Sequence, residues 1–317
     1  MWLHTELYKA YTIFRAKLEG RELALVDEGD PDGIVSGALF KIRYPKGIVV
    51  LAYPSQVRKH PLIRRVTWDF VADLPCPGKA RLRADHHLTN PPCAEKEFYD
   101  PEAPAAAVMA LKALGLENDG KAAELVRYAI ETDTAKITST EAMELEAAVK
   151  GADYKGRLYI IERLAERGIE ALKDEKIKVF IDRFSKNKSR TEEVAKLLQP
   201  PPREAVLVFK EDMGLSYRYL TILLERAGSE FTFLLVPKGL FKYRVYAGAN
   251  PDSRYSATNV TTPLGGGGHR YAAGASFRAV SLGKALRKVL PLLKEELGDK
   301  PIEVIFIEGG RISKAQM

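Results

Sequence analysis

A chain of 317 residues exceeds the usual size of one domain, so two hydrophobic cores are expected. Its 46% hydrophobic content is ordinary for a globular protein, and no apolar run approaches the roughly 20 residues that span a bilayer, which excludes a transmembrane helix and predicts a cytoplasmic, membrane-free protein. The net charge of +7 permits a polyanionic partner without demanding one.

Residues 1 to 19 read as a helix with Leu7, Tyr11, Phe14 and Leu18 on one face, and their scattered charges leave no signal-peptide core. The period then changes. Leu23-Ala24-Leu25-Val26 has the look of a buried strand, and Asp27-Glu28-Gly29-Asp30-Pro31-Asp32-Gly33 follows it before a helical stretch from Ile34 to Tyr44. Four acids in six residues repel one another, and a divalent cation is the usual remedy; a solvated turn is the plain alternative. Strands follow at Gly47 to Tyr53 and at Trp68 to Ala72. Of the two acids near the end of the second, Asp73 is preferred over Asp69 because the strand stops there.

Arg81-Leu82-Arg83-Ala84 reads as a strand end, and Asp85-His86-His87 follows directly. Where a strand leaves an α/β sheet its neighbours converge on the crevice that binds ligands, although two solvated histidines in a loop are a plainer account. Strands alternating with helices imply a parallel sheet with its carboxyl ends on one edge, where Asp30, Asp32, Asp73 and His86 meet. Cys76 and Cys93 lack CxxC spacing and are expected as free thiols. Sparse Gln and Asn beside plentiful Lys, Arg and Glu suggest a thermophilic source, in which a disulfide is the alternative.

A helix is expected to start in Asp100-Pro101-Glu102-Ala103-Pro104, and another to run from Gly120 into Glu131-Thr132-Asp133-Thr134, where Asp133 is either a ligand or the cap of a helix beginning near Thr140. Residues 140 to 198 read as a helical extension. Its basic stretch, Lys173 to Arg190, is a solvated face or a track for phosphates. Gln199-Pro200-Pro201-Pro202 ends the first domain, giving 1–198, a linker at 199–204 and a second domain at 205–317. That domain has strands at Ala205 to Phe209, Glu230 to Val236, Lys242 to Ala247 and an edge strand at Ile302 to Ile307, with helices at Tyr217 to Ala227 and Leu282 to Leu297. Gly265-Gly266-Gly267-Gly268-His269-Arg270 allows backbone amides to approach an anion, with His269 and Arg270 as charge-assisted donors; a flexible loop is the alternative.

EGDPDG, DHH, ETDT and GGGGHRYAAG, in this order over about residues 20 to 280, resemble the motifs of the DHH phosphoesterase family with its DHH-associated C-terminal domain, the group that includes the RecJ-type and NrnA-type nucleases, and here its archaeal type. The resemblance implies an α/β fold, with an N-terminal parallel-sheet domain, a smaller α/β C-terminal domain and a cleft between them. It implies two divalent metal ions, Mn(II) preferred and Mg(II) the alternative, held by Glu28, Asp30, Asp32, Asp73, His86 and Asp133. Asp85 and His87 would orient the imidazole and meet the scissile phosphate. Gly266, Gly267, Gly268, His269 and Arg270 would hold the distal end of the substrate. Glu28 departs from the family's first motif, which commonly has His or Asp there. The implied activity is a 3′-5′ exonuclease on single-stranded DNA or short RNA that releases nucleoside monophosphates. The rivals are a phosphoadenosine phosphate or cyclic-dinucleotide phosphoesterase and a non-catalytic nucleic-acid-binding subunit. Implied partners are single-stranded nucleic acid, a DNA-repair helicase or nuclease, and further copies of the chain.

Overall fold

The computed structural model describes residues 2–317, which divide into two compact units, the first ending at Ser185 and the second running over 186–317. The first unit opens with α1 (Trp2–Leu18), β1 (Leu23–Asp27), α2 (Pro31–Arg43), β2 (Ile48–Ala52), α3 (Pro54–Lys59), α4 (Pro61–Arg65), β3 (Thr67–Ala72), β4 (Lys79–Asp85) and β5 (Lys96–Tyr99). It continues through α5 (Ala106–Ala113), α6 (Gly120–Asp133), α7 (Thr140–Gly151), α8 (Tyr154–Arg167) and α9 (Glu175–Leu197), inside which the division between the units falls.

Five strands pair in the order β2-β1-β3-β4-β5, and every pair is parallel. All five side chains of β1 are buried, because helices cover both faces of such a sheet. On one face Val26, Phe40, Phe70 and Ile161 belong to a core shared with α2, α5, α6 and α8. On the other, Leu25, Trp68 and Val71 pack with Ile13 and Ala16 of α1. Fully burying one such Leu or Val contributes about 1.5–3 kcal/mol.

Several expectations are corrected here. Leu7, Tyr11, Phe14 and Leu18 do form one face of α1, but it points outward, each residue being at least 60% exposed. Ile13, Ala16 and the buried Lys9 occupy the sheet side instead. The helix after the acidic turn starts at Pro31, with Asp30 as its cap, which brings Asp32 into the first turn. The stretch from Asp100 to Pro104 only precedes α5, which begins at Ala106, and α7 is capped by Ser139 rather than Asp133. Cys76 and Cys93 form a disulfide rather than free thiols. Their Cα atoms stand 6.0 Å apart, within ordinary bridging reach.

The second unit contains β6 (Glu204–Phe209), α10 (Tyr217–Arg226), β7 (Phe231–Pro237), β8 (Lys242–Ala249), α11 (Ala257–Thr261), β9 (Gly267–His269), β10 (Ala272–Arg278), α12 (Leu282–Leu297), β11 (Glu303–Glu308) and β12 (Arg311–Gln316). Its mixed sheet runs β12-β11-β6-β7-β8-β10-β9, with separate cores on its two faces. The strand expected at an edge, β11, is flanked by β12, so β12 and β9 are the edges.

Candidate metal centre at the carboxyl ends of the strands

Parallel pairing brings the ends of β1, β3 and β4 side by side, and each ends on or just before an acid: Asp27, Asp73 and Asp85. Asp27 is buried. Its Oδ2 accepts the Gly29 N–H at 2.9 Å, whereas its buried Oδ1 has no partner among the described residues. Gly33 is required beside it, since a Cβ there would lie 2.5 Å from the Asp27 carbonyl oxygen. The start of α2 can press against the end of β1 only without a side chain. Asp30 caps α2 by accepting the N–H groups of Asp32 and Gly33 at 3.1 and 3.3 Å.

Asp32, 1% exposed, accepts the Ala106 and Ala107 N–H groups at 2.7 Å each, so it also docks the start of α5. Asp73 has φ 58°, the left-handed region that a non-glycine residue seldom occupies, and is 4% exposed. Asp69, the rejected candidate, accepts the Leu23 N–H and pairs with Arg81 at the other end of the strands.

His86 lies with Nδ1 3.0 Å from the carbonyl oxygen of Ala103. That oxygen can only accept, so Nδ1 donates to it and Nε2 is the ring nitrogen turned to the acids. The buried Nε2 has no hydrogen-bond partner among the described residues, yet stands 3.8 Å from Asp32 Oδ2 and 3.5 Å from Asp133 Oδ2. His87, half exposed, places Nδ1 3.0 Å from Asp85 Oδ1 and 3.5 Å from Asp73 Oδ1.

Three triads result, each with ligand atoms within 4.8 Å of one another: Asp27, Asp30 and Asp73; Asp73, His86 and His87; Asp32, His86 and Asp133. Asp73 and His86 are each shared by two of them.

The electrostatics set these carboxylates apart. Burial, with Asp30 next, pushes Asp27 up to about 7. Burial and like-charged neighbours hold Asp32 and Asp73 well above the usual carboxylate range, and burial also raises Asp133. Asp85 differs: burial pushes it up, but hydrogen bonds from His87 and Asn90 and the charge of Arg83 outweigh that and bring it below its ordinary value. Arg83 is fully buried, bound to Asp85 at 3.2 Å, to Glu97 at 3.0 Å and to the carbonyls of Leu74 and Pro91. Asp85 thus fixes His87, which is raised by that hydrogen bond. It does not orient the His86 ring, as the sequence suggested, because Ala103 does.

Glu28 is the other departure. Its carboxylate turns away to Arg157 at 2.9 Å and Lys9 at 3.9 Å, and it belongs to none of the triads. Asp27, one residue earlier and given no individual role by the sequence, stands in its place. The first-motif strand is buried along its whole length, so no alternation marks which acid faces the crevice. The oxygen-rich donor set with imidazole suits a hard divalent ion, and the unpartnered Asp27 Oδ1 and His86 Nε2 are atoms such an ion would satisfy.

Gly266, Gly267, Gly268, His269 and Arg270 belong to the second unit. Gly267 to His269 form edge strand β9, exposed throughout and antiparallel to β10. Two of the glycines answer to packing: a Cβ would collide with the Gly274 oxygen at Gly266 and with the Ala272 oxygen at Gly268. Arg270 is spent on the carbonyls of Tyr255 and Ser253, at 3.2 and 2.5 Å. His269 is exposed, and a Cβ at Gly267 would meet open space.

The chain matches no model of a known protein family and no curated protein. Among solved structures it is similar to PggH, a pGpG-specific phosphodiesterase from Vibrio cholerae, at 19% identity over 88% of this chain and 100% of that one, with a TM-score of 0.60. It is also similar to RecJ in complex with Mn2+ from Thermus thermophilus, at 16% identity over 95% of this chain and 55% of that one, with a TM-score of 0.49. An exopolyphosphatase-related protein from Bacteroides fragilis gives 14% identity over 93% and 96%, again with a TM-score of 0.49. At such identities the likeness speaks for architecture: the chain has the α/β fold of the DHH phosphoesterases, the family that its EGDPDG, DHH and GGGGHRYAAG motifs resemble.

Proposed function

We propose that this chain is a metal-dependent phosphodiesterase, a 3′-5′ exonuclease that shortens single-stranded DNA or short RNA to nucleoside monophosphates. The observation that carries the reading is the convergence of buried, mutually repelling acids on Asp73 and His86. Such a cluster weakens the fold by itself and is offset by divalent cations. Asp27, Asp30 and Asp73 would hold one ion, and Asp32, His86 and Asp133 the second, with Mn(II) or Mg(II) the match for these donors. When bound, the ions supply Lewis-acid polarisation of the phosphoryl oxygens and a nucleophilic hydroxide.

The remaining roles fall to the chain. Arg83 neutralises Asp85, and Asp85 holds His87 by Nδ1. His87, half exposed, then presents its Nε2 edge to contact the scissile phosphate or to give a proton to the leaving oxygen. In the second unit, the exposed His269 ring is the side chain of the glycine hairpin left to meet a phosphate.

A second reading, a dinucleotide phosphodiesterase, is favoured by the fold shared with PggH. Incubation with Mn(II) and end-labelled DNA and RNA oligomers, a linear dinucleotide and phosphoadenosine phosphate separates the two. A ladder shortened from the 3′ end with monophosphate release is expected. Turnover of the dinucleotide or phosphoadenosine phosphate alone transfers the activity to small substrates, and retention of strands without cleavage refutes hydrolysis.

A further inference from the structure

The first unit has a cavity of about 600 Å3 that takes no part in the metal centre. Gly47, Ile48 and Val49 line it, at the amino end of edge strand β2. The acids stand at the opposite end of that strand, where Ala52 pairs with Asp27.

Its charge is one-sided. Six basic side chains line it against one carboxylate, Glu162, which Lys41 engages at 3.1 Å. Arg15 and Arg21 are paired with Glu19 at 2.7 and 2.5 Å. Lys46, Lys155 and Lys176 have no ion-pair partner among the described residues. Lys155 sits 4.9 Å from the centre of the Tyr8 ring and Lys176 4.1 Å from that of Tyr159. Tyr11, 61% exposed, adds a free ring at the same cavity.

Two kinds of ligand use only half of this. A purely apolar molecule would strip water from three unpaired ammonium groups for nothing in return. A bare inorganic anion would leave the rings idle. An aromatic base joined to a phosphate uses both, as stacking platforms in basic grooves do for single strands.

We propose that this cavity binds a nucleotide unit, with its base on Tyr11 and its phosphate held by Lys46, Lys155 and Lys176. The unit comes either as a free nucleotide or as one residue of an oligonucleotide. A second cavity of about 570 Å3 shares Tyr8 and Lys155 with the first, but Glu6, Glu28 and Asp153 line it, so the phosphate is placed in the first cavity and competition by AMP separates the two sources. Binding there requires neither metal nor hydrolysis.

The test is fluorescence anisotropy of a labelled single-stranded oligonucleotide with the full chain in EDTA, where no turnover intervenes. Tyr11→Ala and Lys176→Glu are each expected to weaken binding by about tenfold, in line with the loss of one stacked base or one phosphate contact. Tyr11→Phe, which keeps the ring, restores it. Lys314→Glu, an equal charge change on the outer strand of the other unit, binds as the parent does. Competition by AMP shows that a free nucleotide enters the cavity; weakened strand binding without such competition assigns the cavity to a strand. Either supports the proposal. Parent-like binding by both Tyr11→Ala and Lys176→Glu, or displacement of the strand by pyrophosphate at concentrations where AMP displaces none, overturns it. Hydrolysis with Mn(II) is read in a separate reaction, so either result can fail while the other stands.

Discussion

Two stretches that promise ligand chemistry in the sequence, Asp85-His86-His87 and Gly265 to Arg270, are built on opposite principles. The first gathers around buried carboxylates whose charges repel and whose pKa values burial drives upward. Nothing in packing asks for that cluster. The second is exposed, two of its glycines are explained by the backbone they touch, and its arginine is consumed by carbonyls. Burial of like charges is therefore the stronger sign of a site, because the fold bears a cost for it that it bears nowhere in the hairpin.

The contrast is open to attack, most forcefully at Asp73. Asp73→Asn keeps the shape and suits the left-handed backbone, so Mn(II)-dependent hydrolysis is expected to fall by about a thousandfold, the scale of several kcal/mol of lost charge stabilisation. In EDTA the same variant should melt higher, by at least about 1 kcal/mol in stability, because a buried repelling charge is gone. A variant less stable than the parent would mean that Asp73 serves the fold.

Arg83→Met probes the supporting layer. It leaves Asp85 and Glu97 without their buried cation and should cost about 3–5 kcal/mol, read in thermal melts against the parent.

Comparing Asp27→Asn with Glu28→Gln tests which acid of the first motif faces the crevice. A loss of about ten- to a hundredfold in Mn(II) affinity, by calorimetry, is expected for the former and at most about threefold for the latter, whose partners are Arg157 and Lys9. The reverse order would restore Glu28 as the ligand.

The mildest test lies in the hairpin. Gly268→Ala, at φ 143° and pressed against the Ala272 oxygen, should lose about 2 kcal/mol of stability, whereas Gly267→Ala, with open space around it, should stay within about 0.5 kcal/mol. If Gly267→Ala melted normally yet abolished strand binding, the hairpin would be a ligand surface after all.

The sequence made the sheet legible where side chains announced it. LALV, VVLA and the strand ending at Ala72 are short apolar runs, and parallel pairing follows from the helices between them. It failed where size and burial part company. On α1 the larger apolar residues share a face, as their spacing predicts, but Ile13, Ala16 and Lys9 face the sheet, which spacing alone does not reveal. Lys-Glu-Phe-Tyr of β5 is too short and too polar to stand out as a strand. Within the centre, Asp30, Asp32, Asp73, His86 and Asp133 stand in the triads, but Asp27 and Glu28 exchanged places, and nothing in the composition of β4 marks Arg83 as buried.

Asp32 has one more consequence. Its two oxygens receive the first amides of α5, and just ahead of that helix lies the Ala103 carbonyl that aims the His86 ring. The acid and the imidazole of one triad are thus tethered through a loop that contributes no donor atom of its own. On the proposed reading of the centre, substitutions between Asp100 and Ala105 are expected to change the spacing of Asp32 and His86 Nε2, and with it the strength of ion binding, while every acid and imidazole is kept.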